Sequence, residues 1–311
     1  MNNYPAEIPK LVLGTAMWGW TMPPKRCFEV LDTFYQHGFR AIDGATNYPI
    51  NKQPDDFRRA EQILQEWIRA NQITDLEVMM KIGSINNLRS PEHNLTYSFM
   101  MMCLDEYRFK LGDNLNMLMV HWDNRDTPAE IEDSFRALKH ANEKGLDVGL
   151  SGIRHPELYA KINRQYQLDF QIQIKHNLLH SDYQRYAAFH GKRRFITYGI
   201  NAGGLKLDVK AYEQDSSLKV RGGNIAQPPP MLEKLKVVIE AENKKKARSP
   251  ITNFNECGLT YAFHSPDIAA ILLGTSNKQQ LQESIRFYQS LQTGVRTDFY
   301  EKLRGLVRRE T

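Results

Sequence analysis

The chain has 311 residues, 41% hydrophobic and 25% charged, which suits a folded protein of one large domain or two ordinary ones with a sizeable core. Its net charge of +5 comes from 41 basic and 36 acidic residues, scattered except at Lys244-Lys245-Lys246 and Arg308-Arg309, so no nucleic-acid footprint is indicated. Cys27, Cys103 and Cys257 form neither a disulfide framework nor a CxxC motif. The opening MNNYPAEIPK is not a basic-then-apolar leader, and no apolar run nears the roughly 20 residues of a membrane span, so the expectation is a reducing cytoplasm without membrane association.

In chain order, short apolar runs alternate with longer amphipathic segments. Leu11–Gly14 reads as the first strand, and Cys27, Val30, Leu31 and Phe34 then recur at helical spacing. Phe39–Asp43 is the second strand, followed by one buried helix stripe of Ala60, Ile63, Leu64, Trp67 and Ile68. Leu76–Lys81 is the third strand, and Ser90-Pro91-Glu92 reads as a helix start with a capping hydroxyl ahead of a proline. Met117–His121 is the fourth strand, and Thr127-Pro128-Ala129-Glu130 reads as a second such start, closed as a capping box. Leu146–Ser151, Phe170–Ile174, Phe195–Tyr198 and Ile268–Gly274 complete the set.

Continuous apolar strands separated by helices imply a parallel sheet covered by helices. Eight such units over about 250 residues fit a closed (β/α)8 TIM barrel. A doubly wound open sheet is the competitor, but no GxGxxG fingerprint follows any strand. No linker divides the chain, so residues 1–311 read as a single barrel domain. The stretch from about 206 to 250, rich in Gly, Pro and Lys, reads as a long loop plus an extra helix beside the site.

In such a barrel, functional groups cluster at the carboxyl ends of the strands. Asp43, Lys81 and His121 end the second, third and fourth strands, and Tyr48 follows five residues after Asp43. Taken singly, each has an ordinary packing explanation; together, an acid, a phenol, an ammonium and an imidazole at one mouth read as a proton-transfer constellation. A nearby ammonium favours an ionised phenol, so Lys81 is expected to lower the Tyr48 pKa, with Asp43 holding Lys81 and His121 orienting a carbonyl oxygen. No side chain supplies a hydride, which implies a nicotinamide cofactor.

The residues carrying this reading match a known pattern. LGTAMW (13–18), DGATNY (43–48), MKIG (80–83), VHWD (120–123), GLSG (149–152), QIKHNLL (173–179), TYGINAGGL (197–205) and LLGTSNKQQLQES (272–284) together resemble the aldo-keto reductases, barrel enzymes that reduce carbonyls with NADPH. The resemblance implies a catalytic tetrad of Asp43, Tyr48, Lys81 and His121, with Tyr48 as general acid. It implies that Ser151 and Gln173 hold the nicotinamide carboxamide, that Tyr198 stacks on its ring, and that Thr15 and Ala16 contact its ribose. The resemblance also counts Gly199, where the family often has a serine that meets the pyrophosphate, and Asn201 among the cofactor-binding residues. Gly274, Thr275, Ser276, Gln280, Glu283 and Ser284 resemble the site for the adenosine end and its 2′-phosphate, where a helix start offers free amides. The sequence departs from the family at Gly152, where asparagine is usual, and no arginine accompanies Gln280, Lys278 being the nearest cation.

Trp18, Trp20 and Trp122 lie just beyond the first and fourth strands and are expected to wall an apolar substrate pocket for a small-molecule carbonyl compound. His155, His176, His180 and His264 raise the competing idea of a metal-dependent barrel hydrolase. Without HxH on the first strand or HExxH anywhere, metal ligation is not expected. The other alternative is an NADPH-binding regulatory protein with little turnover, since channel-associated β-subunits share this fold.

Overall fold

The computed structural model describes residues 7–192, 194–246, 248–294 and 296–307. Arg308-Arg309 and most of the opening segment therefore lie outside the described residues. The elements run β1 (Lys10–Gly14), α1 (Pro24–Gln36), β2 (Ala41–Ala45), α2 (Arg59–Asn71), β3 (Glu77–Ile82), α3 (Tyr97–Leu111), β4 (Leu115–His121) and α4 (Pro128–Glu143). They continue as β5 (Asp147–Ser151), α5 (Pro156–Tyr166), β6 (Gln171–Lys175), β7 (Phe195–Tyr198), α6 (Ser217–Val220), α7 (Met231–Asn243), α8 (Phe254–His264), β8 (Ile268–Leu273), α9 (Lys278–Thr293) and α10 (Thr297–Val307). Consecutive strands pair in parallel and β1 closes on β8, giving the (β/α)8 barrel expected from the alternation.

Alternation along each strand separates two cores. Leu11, Leu13, Ile42, Val78, Met80, Leu118 and Val120 face outward and pack with the buried stripes of the helices, including all five residues expected on α2 and all four on α1. Val12, Ala41, Met79, Met117, Met119, Ile196 and Ala270 face inward and form a separate apolar plug. Moving two residues on along the same strands keeps the same face, because the side-chain period is two. Ala41 is thereby followed by Asp43, Met79 by Lys81, Met119 by His121, and Ile196 by Tyr198. The barrel interior is apolar below and polar above, and that polar layer is the site.

Three expectations change. β2 is displaced toward its carboxyl end relative to its apolar run, because Gly44 pairs with Met80 and Ala45 with Lys81, so Asp43 sits in mid-strand rather than at the end. Ser90-Pro91-Glu92 opens no helix; the Ser90 hydroxyl is engaged with Asn86 at 3.0 Å, and α3 begins after Asn94 has accepted the Thr96 amide at 3.2 Å. Thr127 does precede α4, but its hydroxyl makes no cap bond and donates to Asp126 Oδ1 at 3.4 Å instead.

The 206–250 stretch holds a 3-10 turn at Val209–Ala211, the single turn of α6 and the 13-residue α7. Met231, Leu232, Leu235 and Ile239 bury one face of α7, which packs on α10. The loop ahead of α7 crosses toward the carboxyl ends of the strands.

Candidate active site

Asp43 and Lys81 form an ion pair inside the barrel, exposed by only 2% and 0%. The carboxylate also accepts from Gln173 Nε2 at 2.7 Å, and Gln173 Oε1 accepts from the Ser151 hydroxyl at 3.1 Å. Strands β2, β3, β5 and β6 thus share one hydrogen-bonded chain across the barrel top. Burying an ion pair is tolerable only when its remaining hydrogen-bond capacity is met, which Gln173 helps to do.

Tyr48 lies above this pair, with Lys81 Nζ 4.9 Å from the ring centroid, and His121 meets the phenol ring edge-on at 6.2 Å. Burial pushes the Tyr48 phenol well above its ordinary 10, and the Asp43 carboxylate adds to the rise, while Arg221 opposes it. The expected lowering by Lys81 is not found, because the ammonium sits against the ring face. Burial, and then the Lys81 charge, hold His121 well below 6.5, so its ring is neutral near neutral pH. Among the described residues, His121 Nδ1 is buried without a hydrogen-bond partner. Burial also lowers Lys81, with Asp43 pulling it back up.

These groups open onto one cavity of about 990 Å³. Asp43, Tyr48, His121, Ser151, Gln173 and Tyr198 line one end, with Ala16, Gly199 and Asn201 beside them. Gly274, Thr275, Ser276, Gln280, Glu283 and Ser284 line the same cavity. Lys81 does not reach the cavity; it lies beneath Asp43, fully buried. Thr15 is not on the wall either, since its hydroxyl is spent on the Asp43 carbonyl at 2.8 Å.

Of the three tryptophans, Trp122 alone lines the cavity, its ring 4.8 Å from that of His121. Trp18 is buried to 1% in the outer core and Trp20 packs against that core. A turn in which the Trp18 amide bonds the Thr15 carbonyl at 3.0 Å carries both away from the cavity wall. Trp122 has φ +57°, and Gly152, at φ +68°, lies against it: a Cβ there would fall 2.5 Å from Trp122 Cδ1. Gly152 therefore makes room for the indole.

Several wall residues were not legible beforehand. Arg26, Lys175, Asn177 and Arg221 line the cavity, as does the start of α8 from Thr252 to Glu256. The α8 start did carry a signal, Asn253-x-x-Glu256: Asn253 Oδ1 accepts from the Glu256 amide at 3.0 Å, and Glu256 Oε2 accepts from the Thr252 amide at 2.6 Å. At α9, Asn277 Oδ1 likewise takes the Gln280 amide at 2.9 Å, and Gln280 Oε1 takes the Ser276 amide at 3.1 Å. Two helix N-termini thus border the cavity. Among the described residues, no cluster of three or more His, Cys, Asp or Glu is placed to hold a metal, and no helix is long and apolar enough to cross a membrane.

The model of the Aldo/keto reductase family matches residues 10–296 of this sequence. The chain belongs to the aldo/keto reductase family. A curated relative, an uncharacterized 11.2 kDa protein in the crtE 3′ region of Pseudescherichia vulneris, is 34% identical over 65 residues, which is 21% of this aldo/keto reductase and 63% of the relative. The chain thus spans a little under two thirds of that relative's length.

Proposed function

We propose that this aldo/keto reductase is a single-domain NADPH-dependent oxidoreductase that reduces aldehyde or ketone carbonyls of small molecules to alcohols, with Tyr48 as general acid. The observation that carries the proposal is the convergence of Tyr48 and His121, above the Asp43–Lys81 pair, on one cavity that continues to the paired starts of α8 and α9. Its volume of about 990 Å³ is at the upper end of ordinary ligand sites, roughly 300–1,000 Å³, as an elongated dinucleotide with a small substrate requires. Ser151 and Gln173 would hold the nicotinamide carboxamide, Tyr198 its ring face, and Gly274–Ser284 the adenosine end. Bound there, the reduced nicotinamide supplies the hydride that no side chain can.

The chain's own residues supply the rest. Tyr48 keeps its proton at neutral pH because burial and Asp43 both disfavour the phenolate. The proton is released only when a substrate oxygen gains negative charge, which is the condition for general-acid catalysis. Arg221 nearby offsets part of the charge that develops on the phenol. Neutral His121 donates a hydrogen bond to the same substrate oxygen and fixes its approach. Gln173 and Lys81 hold the Asp43 carboxylate in place.

The test is a fluorescence titration with NADPH, followed by cofactor oxidation against aromatic, aliphatic and sugar carbonyls. Saturable binding and oxidation with at least one carbonyl class are expected; binding without oxidation by any class would overturn the reading.

A further inference from the structure

Trp122 is held in a backbone conformation that its side chain disfavours. At φ +57° it is the only aromatic among the described non-glycine residues with positive φ, and a bulky side chain stays in such a conformation only where its surroundings impose it. Its ring lines the cavity and lies 4.8 Å from that of His121. Whatever holds this turn sets where the indole stands.

On one side, the Trp122 amide bonds the Ser151 carbonyl at 2.9 Å. On the other stands Asp123, fully buried, whose backbone carbonyl accepts the Arg154 amide at 2.9 Å. Its carboxylate is the hub of a polar cluster behind the site. Oδ1 accepts from the amide and from Nε of Arg125, both at 2.9 Å, while Oδ2 accepts from Nη2 of Arg125 at 2.8 Å and from the Tyr159 hydroxyl on α5 at 2.5 Å. Arg125 also donates to Ser134 Oγ at 2.6 Å and to the Glu130 carbonyl at 2.5 Å, both on α4, and Ser134 donates to the Leu95 carbonyl at 3.1 Å, just ahead of α3. Burial works to raise the Asp123 carboxyl, but the bonds from Arg125 and Tyr159 outweigh it and hold it below its ordinary value, so it is charged at neutral pH. A forked guanidinium–carboxylate pair fixes direction as well as distance. Asp123, Arg125 and Tyr159 are not on the cavity wall, so their effect on a bound molecule passes through the turn.

We propose that Asp123, clamped by Arg125 and Tyr159, is a positioning residue for substrate selection: it fixes the left-handed turn at Trp122, so that the indole stands beside His121 as the wall against which the carbonyl compound packs. A planar ring gains more from an indole than a short aliphatic chain does, so the clamp favours aromatic carbonyls. This deepens, and rests on, the carbonyl-reductase reading.

The test compares benzaldehyde with propanal on the NADPH-loaded enzyme, at a temperature where circular dichroism shows each variant folded. In D123N the side-chain amide has one acceptor atom instead of two. The kcat/KM for benzaldehyde relative to propanal is expected to fall about tenfold to a hundredfold, chiefly through KM, with the NADPH dissociation constant within a few-fold. R125Q breaks the same pair from the other side and should reproduce the shift. In Trp122→Gly no ring has to be placed and positive φ is tolerated, so adding D123N there is expected to change the ratio by less than about threefold. A clamp that only stabilises the fold would lower Tm and leave the ratio unchanged. That result overturns the proposal, as does a D123N effect of full size in the Trp122→Gly background.

A fluorescence arm separates this proposal from the reductase reading. Emission from Trp122 is read as the difference between each protein and its W122F counterpart, with no carbonyl present. In D123N that difference is expected to move to longer wavelength and to be quenched more by acrylamide, because the released indole meets more water. An unchanged Trp122 signal overturns the proposal even if carbonyls are reduced, whereas a shifted signal without any turnover supports the clamp and counts against the reductase reading alone.

Discussion

Replacing Lys81 with Met removes the one cation paired with Asp43 among the described residues and leaves a carboxylate 2% exposed inside the barrel, held by Gln173. Breaking one side of a buried ion pair costs about 3–5 kcal/mol. With an unfolding entropy of about 2.1 cal/mol/K per residue, a chain of 311 residues loses about 5–8 °C of Tm for that cost. Thermal melts of wild type and K81M test this, together with the D43N/K81M double variant, which should be less destabilised than K81M alone because it leaves no uncompensated buried charge. A Tm loss under about 2 °C, or a double variant as unstable as K81M, would refute the claim that this pair is buried and mutually dependent.

Tyr48→Phe should lower kcat by at least about a hundredfold, the usual minimum for removal of a general acid, while the NADPH dissociation constant read by fluorescence stays within a few-fold. His176 and His264 are both held down to about 4 by burial, so their unfolded forms, near 6.5, bind the extra protons as pH falls. Between pH 7 and pH 5 each should cost about 2 kcal/mol of stability, seen as a lower urea midpoint. His264→Leu should remove its share of that slope, and an unchanged pH profile would count against it. In α8, a Cβ on Gly258 would drive into the backbone carbonyl of Ile200. Gly258→Ala should therefore destabilise by about 1–3 kcal/mol in denaturant melts and weaken cofactor binding by displacing the α8 start.

The barrel was legible because its strands are nearly continuous apolar runs, as burial on both faces requires, and Leu11–Gly14 and Met117–His121 fall almost where β1 and β4 do. The α2 stripe was equally plain, since Ala60, Ile63, Leu64, Trp67 and Ile68 repeat at helical spacing and all are buried. Strand ends were less so. Asp43 and Ala45 are polar or small and do not prolong a hydrophobic pattern, yet the ladder with β3 runs through them. Ser90-Pro91 failed as a helix start because Asn86 captured the hydroxyl, a competition that propensity cannot see.

At the site, Asp43 and His121 were reachable from the sequence because each lies on an inward strand position, and Tyr48 because it follows β2 closely, whereas Ser151, Gln173 and Tyr198 came from the family resemblance. Trp18 and Trp20 were misplaced because a turn after β1, not their spacing, decides where large rings go. The sign of the electrostatics at Tyr48 was also hidden: whether an ammonium meets a phenol at its hydroxyl or its ring face is a matter of coordinates, and here it is the ring. Arg26 and Arg221 carried no motif. Arg221 reaches the cavity through an insertion whose path depends on tertiary contacts, with the Tyr212 hydroxyl accepting the Lys206 amide at 2.8 Å and Lys219 Nζ donating to the Tyr212 carbonyl at 3.2 Å.

The most direct measurement is the mass of the alcohol formed when the protein is supplied with NADPH deuterated at C4 and a carbonyl compound that it turns over. The account predicts one deuterium bonded to the new carbinol carbon, with product formation lost in Tyr48→Phe. An alcohol without deuterium, or equal product from the Phe variant, would contradict it.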